Sequence, residues 1–430
     1  MNVKNGPDRS PAFCMLPWIG LHNQADGDAF PCCYWSGSSM GTLRRSSPAQ
    51  LLNADGLKRL RRDMLAAKPS AGCADCYANE AAGRLSLRKW ANRRFSADRP
   101  LVESTRPDGS LPQPRLRYLH LAFSNHCNFR CRMCFPRWST SWYPDDAALK
   151  RERGEHVPRQ ATLTPTVAPE DFLRALEPHL PDVQLIRFVG GEPLLAKEHY
   201  NLLERLLELK LSRVKLLYDT NLSVLRFQDK DVAALWNRFE DVEVSVSFDA
   251  TGRRGEYLRK GQDWDEAVKN WSRARRDSPR VRFGVAPTVS LFNALHIPDF
   301  HREWIDQGLV APEAFNLKLL KEPRHYNVQA LPPRLKERVA EKFAAHINKY
   351  LRPLRRAPGT EGSFIPSVLN FTMVQDYMMA ADLSRELPKF RNETMALDKI
   401  RGERFPEVFP ELAELLQAPR AAGKTEVSAS

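Results

Sequence analysis

The chain has 430 residues, 42% hydrophobic and 27% charged, the balance of an ordinary globular protein, which excludes a disordered or fibrous one. That length predicts two or three domains. Its 65 basic and 52 acidic residues leave a formal charge of +13, but the excess is scattered through short runs such as Arg44-Arg45, Lys58 to Arg62 and Arg352 to Arg356. Without an aromatic-interleaved basic stripe, a solvated basic surface is expected and a nucleic-acid partner is not favoured. No run of eighteen apolar residues occurs, so no membrane span is expected. The opening MNVKNGPDRSPAF lacks the apolar segment of a secretion signal. All eight cysteines except Cys14 fall in tight pairs or a triplet, which suits metal binding in a reducing cytoplasm better than disulfides.

Residues 1–95 hold five cysteines: Cys14, Cys32, Cys33, Cys73 and Cys76. LHNQADGDAFPCCYW reads as a hairpin turning at Ala25-Asp26-Gly27-Asp28. LLNADGLKRLRRDMLAAK reads as a helix with Leu57, Leu60 and Met64 on its apolar side, ending before Pro69. The order Cys, hairpin, Cys pair, helix, C-x2-C brings four thiolates from three segments to one metal centre, and structural zinc bound by four cysteines is the rival reading. Residues 96–114, rich in Pro, Ser and Asp, read as an extended linker.

RLRYLHLAFSNHCNFRCRMCFPR, from Arg115 to Arg137, begins as a buried strand and breaks at Asn125. Cys127, Cys131 and Cys134 then form C-x3-C-x2-C on the loop leaving the strand. Three soft ligands leave a [4Fe-4S] cluster with one open iron, an arrangement for chemistry. A zinc knuckle or reduced buried thiols are the other readings, although structural zinc wants four ligands. An electron carrier with closed clusters would need a fourth ligand here, for which His126 is awkwardly placed.

From 115 to 321 strand-like and helix-like runs alternate. Strands are expected at 115–124, 184–190, 213–220, 242–249, 282–290 and 314–320, and helices at 169–180, 196–210, 230–240, 264–277 and 296–307. This predicts an α/β fold with a parallel sheet, whose chemistry gathers at the strands' C-terminal ends. There stand Gly190-Gly191-Glu192-Pro193, with close backbone approach and a carboxylate for an ammonium group. Asp219-Thr220-Asn221 follows the third strand, and Ser245, Ser247 and Asp249 share a face of the fourth. Arg259 offers a bidentate fork, or else is a surface arginine, and Asn293 caps the next helix or contacts a ligand.

Residues 322–430 read as a helical extension with a disordered tail. Val339, Phe343, Ile347 and Leu351 form one apolar stripe. A helix at 366–382, with Phe371, Met373, Tyr377, Met378 and Met379, reads as core packing. Asp398 and Arg401 read as an exposed (i, i+3) ion pair.

The cysteine loop with its following Gly-Gly-Glu resembles the radical S-adenosylmethionine (SAM) superfamily. The resemblance implies a partial (β/α)6 TIM-like barrel over 115–321, with the small N-terminal α+β module over 1–95 similar to the twitch (half-SPASM) module placed before the barrel. It implies that Cys127, Cys131 and Cys134 hold a [4Fe-4S] cluster whose open iron binds SAM. It also implies that Cys14, Cys32, Cys73 and Cys76 hold an auxiliary Fe-S cluster, read as [4Fe-4S], with Cys32 preferred to Cys33. Gly190, Gly191 and Glu192 would bind SAM's amino group, Met133 would take the place of an aromatic residue near the adenine, and Thr220, Asn221, Ser247 and Asp249 would surround ribose and methionine. Arg259 would meet the SAM carboxylate. The implied activity is reductive cleavage of SAM and hydrogen abstraction from a peptide or polar small molecule, served by an electron donor such as flavodoxin or ferredoxin. A zinc-stapled nucleic-acid-binding protein and a radical SAM enzyme acting on nucleic acid are the alternatives.

Overall fold

The computed structural model describes residues 10, 12–81, 83–354 and 367–417. The tail read as disordered, the end of the Arg352 to Arg356 run and most of the opening segment lie outside them.

Seven strands make one sheet: β1 (Gly20–Asn23), β2 (Ala29–Phe30), β3 (Tyr118–Ala122), β4 (Leu185–Val189), β5 (Lys215–Thr220), β6 (Val242–Val246) and β7 (Arg282–Val285). Their spatial order is β2-β1-β3-β4-β5-β6-β7, parallel throughout except the β1–β2 hairpin. Past β7, β8 (Thr288–Val289) pairs in parallel with β9 (Lys318–Leu319), and a bridge between Val285 and Phe315 ties this pair to the sheet edge. The result is a mixed α/β fold with six barrel strand positions along a curved parallel sheet.

The two sheet faces differ in chemistry because they meet different surroundings. On the helix-covered face Leu119, Ile186, Leu216, Val242, Leu121, Phe188, Tyr218 and Val244 lie in register, none more than 2% exposed. Helices Lys197–Glu208 and Trp264–Asp277 contribute Leu202, Leu203, Leu206 and Trp271 to the same core. The opposite face faces the barrel lumen and carries His120, Arg187, Asp219, Glu243 and Ser245. Continuous apolar strands of a buried parallel sheet are therefore seen on one side only.

Three expectations are corrected here. The hairpin forms where its turn signal placed it, but β1 joins the barrel sheet beside β3, pairing His22 with His120. Asn23 adds a side-chain bond to the Ala122 carbonyl at 2.7 Å. The stretch read as an extended linker starts with helical turns at Ser96–Asp98 and Pro100–Glu103 and is pinned by Asp98, which accepts from Arg117 at 2.7 Å and Gln184 at 2.9 Å. Asp398 and Arg401 are not an exposed pair, being 9% and 8% exposed. They reach back to the cysteine loop: Asp398 accepts from Arg132, and Arg401 pairs with Asp145 at 2.8 Å.

In the C-terminal region, helix Pro333–Ala345 runs on into a π-turn at His346–Leu351, burying Val339, Phe343, Ile347 and Leu351. Helix Ser367–Met379 buries Phe371 and Met378 but leaves Met379 55% exposed. Helices Tyr143–Glu152 and Gly252–Leu258, without an apolar stripe clear enough to read, complete the cover around the cysteine loop.

Candidate active site

Beyond Ala122 the chain leaves β3 and turns against the loop after β4. Gly190 and Gly191 adopt φ of +77° and +53°. A Cβ on Gly191 would lie 2.2 Å from the His126 carbonyl oxygen, and one on Gly190 would lie 2.4 Å from the Ala122 side chain. The glycines thus permit backbone contact that no side chain allows. The Glu192 amide seals it by donating to the His126 carbonyl at 2.8 Å.

Between these loops lies a cavity of about 280 Å³ at the C-terminal ends of the strands. Cys127, Cys131 and Cys134 all line it, with Met133, Gly190, Gly191, Glu192, Thr220, Asn221, Ser247 and Arg259 of the expected set. The Glu192 carboxylate accepts from the Thr220 hydroxyl, the Asn221 amide at 2.7 Å and the Leu194 amide at 3.1 Å. Burial still pushes it up to about 7 against those bonds. Arg259 is not a surface arginine: it pairs with Asp249 at 2.7 Å and donates to Cys131 Sγ at 3.7 Å.

Two expected residues sit behind the wall. Asp249, 0% exposed, holds Arg259 and accepts from the Thr288 amide at 2.7 Å, so it orients the arginine rather than lining the cavity. Asn293 neither caps helix Ile297–Asp306 nor meets the cavity; it donates to the carbonyls of Asp249 and Thr288. Asp219 was not among the expected site residues and does line the cavity, as do Phe129, Trp138 and Thr288. The alternation that selected Ser245 and Ser247 would have flagged Asp219, which pairs with Ser245 in register.

The donor set fits a cluster. Burial pushes the Cys127 thiol up to about 12 and raises Cys131 and Cys134 as well, a cost that metal charge offsets. Among the described residues no three His, Cys, Asp or Glu side chains converge tightly enough to hold one metal ion. Ligands to different irons of one cluster stand farther apart than ligands to one zinc.

In the N-terminal module Cys14, Cys32, Cys73 and Cys76 are electrostatic neighbours, with burial pushing Cys14 up to about 12 and Cys73 to about 11. Cys32 senses Cys14 and Cys76 after its sequence neighbour Cys33. Cys33 is exposed, and Arg187 and Asp219 are the charged groups that it senses most strongly. Arg88 braces this group, donating to the Phe13 carbonyl at 2.8 Å and to Glu80 at 2.9 Å.

The sequence profile of the radical SAM superfamily matches residues 121–287, and that of an iron-sulfur cluster-binding domain, SPASM, matches residues 14–77. The chain carries a radical SAM domain. Its radical SAM domain follows the SPASM/twitch domain, and the cofactors of the two are SAM and iron-sulfur clusters, which sets aside the zinc reading. A GTP 3',8-cyclase of Campylobacter lari is 30% identical over 115 residues, 27% of this chain and 30% of that protein. Among solved structures, anSMEcpe with bound AdoMet has 15% identity and a TM-score of 0.39, covering 55% of this chain and 60% of its own. Streptococcus suis SuiB bound to S-adenosylmethionine has 15% identity and a TM-score of 0.38, covering 69% and 63%. The chain thus spans under a third of the cyclase's length and about three-fifths of these two structures' lengths. Among the described residues no helix is long and apolar enough to cross a membrane.

Proposed function

We propose that this protein cleaves SAM reductively and removes a hydrogen atom from a peptide or polar small-molecule substrate, assisted by an auxiliary cluster in the N-terminal module. The observation that carries the reading is the convergence of three thiols, the Gly190-Gly191-Glu192 turn and Arg259 on one cavity. Cys127, Cys131 and Cys134 would hold the cluster, and Cys14, Cys32, Cys73 and Cys76 the auxiliary one. When bound, the first cluster with SAM on its open iron supplies a 5'-deoxyadenosyl radical.

The chain's own residues bind and orient. Glu192, fixed by Thr220 and the Asn221 and Leu194 amides, presents a carboxylate of fixed direction to SAM's ammonium group. Arg259, locked by Asp249, presents its fork to SAM's carboxylate and keeps positive charge beside Cys131. Met133 supplies a polarisable side chain for the adenine. Phe129, Trp138 and Leu320 give the cavity an apolar part of its lining.

Iron, sulfide and 5'-deoxyadenosine are measured after anaerobic reconstitution of the wild type and the Cys127/Cys131/Cys134→Ala variant. The variant is expected to lose about four irons and all 5'-deoxyadenosine formation while keeping the iron of the N-terminal module. Zinc in place of iron, or 5'-deoxyadenosine formed without the three cysteines, overturns the proposal.

A further inference from the structure

A second cavity, of about 220 Å³, opens on the lumen face of the sheet between the barrel and the cysteine module. Tyr118, Arg187 and Ser245 line it from the barrel, and Tyr34, Leu87 and Trp90 from the module. One side-chain partition separates it from the cysteine-lined cavity. Arg187 lines the second cavity, Asp219 lines the first, and they are joined at 2.6 Å, with Lys318 on the other Asp219 oxygen.

The partition carries two cations against one carboxylate, an excess of one positive charge, and Glu243, the carboxylate on the cavity wall itself, is paired with Lys215 at 3.1 Å and Arg282 at 3.3 Å. Burial alone would raise Asp219, but Arg187 and Lys318 reverse that and hold it well below the usual carboxylate range, so the excess persists at neutral pH. Arg187 spends its Nε and Nη2 on Asp219, at 2.7 and 2.6 Å. Its Nη1 edge is left for the cavity that this side chain, 31% exposed, helps to line. A guanidinium edge beside a net positive charge selects an anion.

The other wall decides what carries that anion. Trp90 and Tyr118 meet edge to face at 5.9 Å, and Tyr34 and Leu87 extend the apolar surface. A bare inorganic anion would leave this surface facing water, whereas an apolar body covers it. The volume admits a body of about one amino-acid residue. The geometry points to the second cavity as the substrate site, taking a carboxylate on an apolar body of amino-acid size, from a free amino acid or the terminal residue of a peptide. This rests on the radical SAM reading above, which it deepens. Cavity and cofactor pocket meet at the Arg187–Asp219–Lys318 partition, so a carboxylate at Arg187 anchors one end of a substrate whose reacting carbon reaches past that partition to SAM.

The test measures binding to the reconstituted full chain by saturation-transfer NMR and calorimetry. The probes are N-acetylphenylalanine, N-acetylphenylalaninamide, a pentapeptide ending in phenylalanine with a free carboxylate, and inorganic phosphate. The free acid is expected to bind at least tenfold more tightly than the amide. Arg187→Met is expected to erase that preference and Arg187→Lys to retain part of it. Tighter binding of the pentapeptide than of the acetylated amino acid makes the source a peptide, and the reverse makes it a free amino acid. Equal affinity for acid and amide, or tighter binding of phosphate than of either carboxylate, overturns the proposal; the wild-type comparison decides this even where Arg187→Met fails to fold. SAM cleavage is assayed on the same preparation: cleavage without acid preference refutes this inference alone, and acid preference without cleavage refutes the underlying function alone.

Discussion

Replacing Asp398 by alanine tests whether the C-terminal extension braces the cysteine loop. Asp398 accepts from Arg132, from the Tyr257 hydroxyl at 2.8 Å and from the Phe405 amide at 2.6 Å. The Arg132 side chain has no solvent exposure, lies 3.7 Å from the Tyr257 ring centroid and keeps one other carboxylate, Glu403 at 2.7 Å. Removing one partner of a buried ion pair costs about 3–5 kcal/mol, of which roughly half applies while Glu403 remains. The two further hydrogen bonds add about 1 kcal/mol each. A local loss of about 4 kcal/mol corresponds to a roughly thousandfold rise in opening. Native-state hydrogen exchange of the amides in Leu387–Arg401 reads that rise directly. Lys399→Ala is the control, because its pair with Glu152 is solvent-exposed and should change exchange by less than about threefold. An Asp398→Ala effect below about tenfold would refute the brace.

Cys32→Ala should remove the iron of the N-terminal module while Cys33→Ala retains it; iron analysis showing the reverse would exchange their roles. His199 and His301 are fully buried, and burial pushes each from 6.5 down to about 3, with His346 acting further on His301. The unfolded chain takes up their protons first, so stability is present above pH 6.5 and falls as pH drops toward 3, by about 1.4 kcal/mol per ring per pH unit. The fall in thermal midpoint from pH 6.5 to 5.5 should be shallower in the His199→Gln/His301→Gln variant, and an unchanged slope would contradict this. Gly191→Ala adds about 1–2 kcal/mol of left-handed strain before its clash with the His126 carbonyl. Its SAM affinity, read by equilibrium dialysis, should fall about tenfold or more, and wild-type affinity would remove the close-approach argument.

The features legible in the sequence were those written locally. Cys127, Cys131 and Cys134 lie within one turn of chain, and the Gly-Gly-Glu motif announces its own backbone shape. The parallel sheet was legible because one face is apolar along every strand. What escaped depends on partners distant in sequence. Asp398 and Arg132 stand 266 residues apart, and an (i, i+3) spacing suggested a nearer partner for the aspartate. Asp249 reads like a wall residue, yet whether a strand-end carboxylate faces a cavity or the arginine in front of it depends on a loop ten residues on.

The pairing of β1 with β3 left no periodic trace either, and it carries the most consequence. Because Gly20–Asn23 runs parallel to Tyr118–Ala122, the hairpin is the next lumen strand, and the residues after it, Cys33 and Tyr34, emerge beside Arg187. A module placed before the barrel in sequence therefore reaches the lumen by entering the sheet at its first edge. Cys32 and Cys33 follow the hairpin in a turn, where Cys32 has Cys14 and Cys76 among its charged neighbours and Cys33 has Arg187 and Asp219. The short turn that follows the hairpin thus carries both Cys32, a proposed ligand of the auxiliary cluster, and Tyr34, a wall residue of the second cavity two positions on.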